Sequence, residues 1–137
     1  MKRSKVLIPH EDIEQGLLFE WTQYQIARFP ELALLFHIPN EAGTRTFKET
    51  VRLKGLGVKA GVPDLFLPVA RWGWHGLFIE MKRQRNGHVS EVQKEWISAL
   101  VEQGYLVRVC HGFDEAKKTL LLYLTGSIKK GVRTDDA

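Results

Sequence analysis

The chain has 137 residues, of which 44% are hydrophobic and 26% charged, a balance that excludes a disordered chain and suffices for one domain with a buried core. Twenty Lys and Arg against 16 Asp and Glu give a formal charge of +4 and a pI near 9.3, which admits a nucleic-acid partner without singling one out. One cysteine, Cys110, excludes an internal disulfide and a Cys-cluster zinc site and fits a reducing cytosol.

The start, "MKRSKVLIPHEDIEQ", offers only "VLIP" as an apolar stretch, too short for a signal peptide. Nowhere does a run approach the roughly 18 apolar residues of a membrane span. Residues 11–29, "EDIEQGLLFEWTQYQIARF", repeat apolar side chains at helical spacing, and Pro30 closes the segment because helix is disfavoured before proline. On a wheel of about 100° per residue, Glu20 falls within the stripe of Ile13, Leu17, Tyr24 and Ala27. "LALLFHIPN" (32–40) reads as a short strand, and 44–57 as a helix with Phe47 and Val51 inward and Gly55 or Gly57 as its stop. "PDLFLPVA" and "GLFIEMK" read as two strands about a turn with Gly73 and Gly76, Pro68 marking an edge or an early strand end. Residues 89–104 form the clearest helix, with a Ser90–Gln93 capping box and Gly104 as left-handed stop. A strand, "YLVRVC", and a helix over 114–126 capped by Asp114 complete the domain at residue 126, before a polar tail over 127–137. The order α-β-α-β-β-α-β-α predicts an α/β fold, a mixed sheet flanked by helices.

Two acids break this pattern. Asp64 opens one apolar strand and Glu80 sits inside the next, although an unpaired buried carboxylate costs several kcal/mol. If the strands pair antiparallel, both acids lie at the same end, where cross-strand neighbours are about 5 Å apart. Lys82, two residues beyond Glu80, projects from the same face. A salt bridge on a solvated face would also satisfy "D…ExK", but the flanks "LFL" and "LFI" imply covered strands, where like charges need neutralising. "GVPD" aims the first acid through a stiff turn, and Glu20 adds a third. A hard cation such as Mg²⁺ suits such oxygen donors; zinc does not, since no Cys or His is near by spacing.

"AGVPDLFL", then "LFIEMKR", then "HVSEVQKEWISALVEQGYLVRVCHGFDEA" together resemble the VRR-NUC family, a branch of the PD-(D/E)xK nuclease superfamily. The likeness spans roughly residues 11 to 125 and is to a standalone, phage- or bacterial-type member. It implies that Glu20, Asp64 and Glu80 hold one or two Mg²⁺ or Mn²⁺ ions, with the main-chain carbonyl of Met81 as a further ligand. It implies that Lys82 is the catalytic lysine and that Gln93 borders the site; Gln93 also lies on the inward stripe of its helix. The resemblance further implies a structure-specific DNA endonuclease acting on four-way junctions as a homodimer, in a bacterial or phage-infected cytosol, with no membrane and no small-molecule cofactor. A less selective flap or restriction-like DNase, or a non-catalytic DNA-binding module, are the alternatives.

Arg45, Lys48, Arg52, Lys54 and Lys59 lead up to the acids, and Arg83 and Arg85 follow them. They are candidate phosphate contacts on either side of the site, with Asn40 at its edge. Trp72 and Trp74 at the hairpin tip are expected to pack or to mediate dimerisation. The five histidines show no ligand spacing.

Overall fold

Four strands, in the order β1-β2-β3-β4, form the sheet of a computed structural model that describes residues 7–40, 46–126 and 128. The elements are α1 (Glu11–Gln25), a short 3-10 helix (Pro30–Leu34), β1 (Phe36–His37), α2 (Phe47–Gly55), β2 (Leu65–Leu67), β3 (Leu77–Lys82), α3 (Glu91–Glu102), β4 (Leu106–His111) and α4 (Phe113–Thr125). The sheet is mixed and flanked by helices, as the element order predicts. β1–β2 and β2–β3 pair antiparallel, while β3–β4, joined through α3, pair parallel. The polar tail lies, apart from residue 128, outside the described residues.

β3 is buried along its whole length, because strands flank both its edges and side chains cover both its faces. A strand buried on two sides reads as a continuous apolar run, which accounts for "LFI". Its Leu77, Ile79 and Met81 join Leu18, Leu65, Leu67, Cys110, Leu120 and Tyr123 in the core. The opposite face of β3 carries Phe78, Glu80 and Lys82. Pro68 ends β2 early; β2 is an inner strand, not an edge.

Several helix details differ from expectation. In α1 the buried residues are Glu14, Leu18 and Thr22, while Ile13, Leu17 and Tyr24 face outward. Apolar side chains occur nearly all round this helix, so periodicity alone does not choose a face. Packing against α4 and the 3-10 helix does. α2 buries none of its residues; Phe47 is 85% exposed because no described element reaches it. The 32–40 strand shrinks to two residues, since Pro30 starts a 3-10 turn ahead of it. α4 is preceded by Gly112 at φ 100° rather than capped by Asp114, whose side chain is exposed in the first turn. The Ser90–Gln93 capping box forms in both directions.

The hairpin tip is latched to α4. Trp72 takes a left-handed φ of 54°, uncommon for a large side chain, and its indole N–H donates to the Tyr123 carbonyl at 2.7 Å. Tyr123, itself buried, donates back to the Val69 carbonyl. Trp72 therefore packs. Among the described residues no helix is long and apolar enough to cross a membrane.

Candidate active site

Extending the register Leu65↔Ile79 by one residue sets Asp64 against Glu80. Two carboxylates held side by side repel, and a proton on one of them relieves that repulsion. Glu80 is 3% exposed. Burial first, then the Asp64 charge and hydrogen bond, push its carboxyl up to about 8, against the pull of Lys82. Asp64 Oδ2 also accepts the Met81 N–H at 2.8 Å, which pins the first acid to the strand bearing the second.

A lysine and an amide complete the cluster. Lys82 Nζ stands 3.5 Å from Glu80 Oε1 and donates to Gln93 Oε1 at 3.0 Å. Gln93 Nε2 donates to Glu80 Oε1 at 3.0 Å. The same Gln93 oxygen accepts the Ser90 N–H at 2.9 Å. Gln93 is thus both the helix cap and the bracket that spaces Lys82 from Glu80. Asp64, Glu80, Lys82 and Gln93 come together, with the Met81 backbone between the second and third.

Glu20 does not join them. Its side chain is exposed, because α1 turns its Leu18 face, not its Leu17 face, to the core; the expected inward acid is corrected on this point. The buried acid of α1 is Glu14, 3% exposed. Gln84, two residues beyond Lys82, donates to Glu14 Oε1 at 2.6 Å, while Oε2 has no partner. A Cβ at Gly112, whose φ of 100° already favours glycine, would stand 2.9 Å from that oxygen and 2.8 Å from the Gln84 side chain, so a larger residue there would crowd the Glu14–Gln84 pair. Sequence reasoning missed Glu14; its signal was the second apolar stripe through Leu18 and Trp21. Among the described residues no three His, Cys, Asp or Glu side chains form a metal-holding group, so the convergent acids are the Asp64–Glu80 pair.

The basic residues divide. Lys48, Arg52, Lys54, Lys59 and Arg85 are exposed, with Arg52 3.5 Å from Glu49 on the same helix. Arg83 is half-buried and donates to the Ile8 carbonyl at 3.0 Å, tying the N-terminal segment to the end of β3. Asn40 is half-buried, and Arg45 lies outside the described residues. His37 Nδ1–H donates to the Asp64 carbonyl at 2.9 Å, holding the backbone of the first acid.

The proton on the acid pair has a consequence for stability. Between pH 4.5, the ordinary value, and about 8, the folded protein binds a proton at Glu80 that the unfolded chain has lost. The stabilisation is complete below the lower value and is lost as pH rises through the upper one. In EDTA the melting free energy should fall by up to about 1.4 kcal/mol per pH unit across this window. Glu80→Gln, neutral throughout, should flatten the slope. Thermal melts from acid to neutral pH check this, and an equal slope in both proteins would contradict it.

The sequence matches a family model described as the VRR-NUC domain over residues 8–114. A solved structure described as a "VRR_NUC domain protein" is similar to this chain with a TM-score of 0.75 and 29% sequence identity, over 94% of this chain and 99% of that one. Among curated proteins, none matches.

Proposed function

The chain belongs to the VRR-NUC family, a nuclease-type domain, and from that premise we propose that it is a divalent-metal-dependent endonuclease that cuts branched DNA, four-way (Holliday) junctions foremost, as a homodimer. The observation that carries this reading is the buried Asp64–Glu80 pair with Lys82 and Gln93 on it. Two carboxyl groups forced together share a proton until a cation replaces it. Asp64 and Glu80, with the main-chain carbonyl of Met81, are hard oxygen donors that fit Mg²⁺ or Mn²⁺.

When bound, the cation supplies charge to offset that developing on the phosphate and lowers the pKa of water it carries. The chain's own groups do the rest. Gln93 holds the Glu80 oxygen and the Lys82 ammonium a fixed distance apart. Lys82, with donors to spare, orients the attacking water or stabilises the phosphate. Glu14 takes the part first given to Glu20, bordering the site through Gln84. Lys48, Arg52, Lys54, Lys59 and Arg85 form the phosphate rim, joined by Asn40; Arg45, outside the described residues, is a further candidate phosphate contact by its sequence alone. Arg83 serves the fold instead.

The homodimer is supported by apolar side chains left outward, Ile13, Leu17 and Tyr24 on α1 and Phe47 and Val51 on α2. Exposed apolar patches of this kind mark association surfaces, and two-fold cuts need two sites related by a two-fold axis.

Four-way junction, flap and linear duplex incubated with Mg²⁺, Mn²⁺ or EDTA test the reading, with light scattering for mass. The junction should be cut fastest, in metal only, by a dimer. Glu14→Gln should slow cutting and Glu20→Gln should not. Equal rates on all three DNAs would leave an unselective nuclease, and no cutting at all would overturn the catalytic reading.

A further inference from the structure

Beside the acid pair lies a second feature that hydrolysis does not use. Phe66 stacks on Phe78 with ring centroids 4.2 Å apart and planes at 14°. Phe36 meets the edge of Phe66 at 5.8 Å, and Tyr105 stands edge-on to Phe66 and Phe78 at 5.9 and 5.3 Å. These rings run in one row across the sheet, because Phe36, Phe66 and Phe78 are direct cross-strand partners. The row opens toward the edge strand: Phe78 is 8% exposed, Phe66 half-buried and Phe36 47% exposed.

Strand periodicity puts the row and the acids on the same face. Asp64 precedes Phe66 by two residues and Glu80 follows Phe78 by two. The ring pair and the acid pair are therefore successive rungs, about 7 Å apart, the span of one nucleotide in an extended strand. Phe36 is the diagonal neighbour of Asp64, also at about 7–8 Å. A phosphate on the acid rung brings the adjacent base over the aromatic rung.

We propose that Phe36, backed by Phe66, is a stacking platform for an unpaired nucleobase one nucleotide from the phosphate held at Asp64 and Glu80. The inference rests on the nuclease reading and deepens it. A base in a continuous duplex is already stacked and cannot be laid on a ring, whereas one at a branch point or in a single-stranded arm can. The platform makes the site prefer DNA whose bases are free beside the cut. Phe36 needs no partner protein in this role, since its exposed ring is in register with the acids rather than with the outward faces of α1 and α2.

The test is fluorescence of 2-aminopurine scanned along the single-stranded arm of a branched DNA, bound in Ca²⁺ so that binding is read apart from cutting. Wild type should quench the probe at one position. Phe36→Leu should lose that quenching and bind this DNA about tenfold more weakly, the low end of what a base–aromatic stack contributes. Phe36→Trp should retain both. Quenching unchanged in Phe36→Leu, no quenched position with wild type, or a change of oligomeric mass in Phe36→Leu would overturn the inference. Cutting in Mg²⁺ is scored separately, so an active enzyme that quenches nothing refutes the platform alone. An inactive protein that quenches normally refutes the nuclease reading alone.

Discussion

Replacing Asp64 with Asn should lower metal-dependent DNA cleavage by roughly 10²- to 10⁴-fold, the loss of several kcal/mol of charge stabilisation at 1.36 kcal/mol per tenfold. Folding should survive. The Asn side-chain oxygen can still accept the Met81 N–H that Asp64 Oδ2 accepts at 2.8 Å, so β3 keeps its anchor. What disappears is a charge. Burial would still raise the Glu80 carboxyl, but the Asp64 contribution would go, and the melting temperature in EDTA should hold or rise. Asp64→Ala makes the contrast: the Met81 N–H loses its acceptor, at a cost of about 1–3 kcal/mol. Single-turnover cleavage and thermal melts on both variants decide the matter. Wild-type cleavage by Asp64→Asn would end the assignment of this pair.

Lys82→Met should reduce the rate by roughly 10²- to 10⁴-fold, the usual worth of a positioned proton-transfer or charge-stabilising group, with DNA binding little changed. Methionine is close in length and apolar, so it fills the space under Gln93 without a positive charge. Removing one partner of a buried ion pair ordinarily costs 3–5 kcal/mol. Here the penalty should be well below that near pH 7, because a Glu80 pushed up to about 8 is already mostly protonated and leaves little uncompensated charge. Lys82 pulls the Glu80 carboxyl down, so its loss should carry the pH-dependent decline of stability to higher pH. A structural lysine would instead show a large fall in melting temperature with activity restored on cooling. Rates at saturating DNA, set beside melts over pH, separate the two.

The comparison of α1 with β3 shows where sequence stops informing. In β3, alternation of side chains is a fixed property of the extended chain, so Glu80 and Lys82 had to share a face wherever the strand went. Asp64 had to meet Glu80 once a turn near Gly73 folded the two strands together. The capping box at Ser90 was equally local: Gln93 lies three residues on, and its bonds to the Ser90 backbone follow from helix geometry. That the same amide reaches Glu80 and Lys82 was suggested by its inward stripe.

In α1 a helix with apolar residues on two sides has no face of its own. Leu18 and Trp21 won the core because α4 and the 3-10 helix approach from that side, which carried Glu14 inward and left Glu20 exposed. The outward Phe47 of α2 has the same origin: an amphipathic pattern states what a helix can bury, not whether anything is there to bury it.

Sequence by itself thus determined the element order, the strand pair and its acids, and the lysine beside them, because backbone periodicity and short turns act over a few residues. Tertiary structure alone decided which acid of α1 turns inward, that Arg83 serves the N-terminal segment, and that an aromatic row stands one rung from the acids. Those depend on how separate elements rotate against each other, and that rotation is set by the whole core at once.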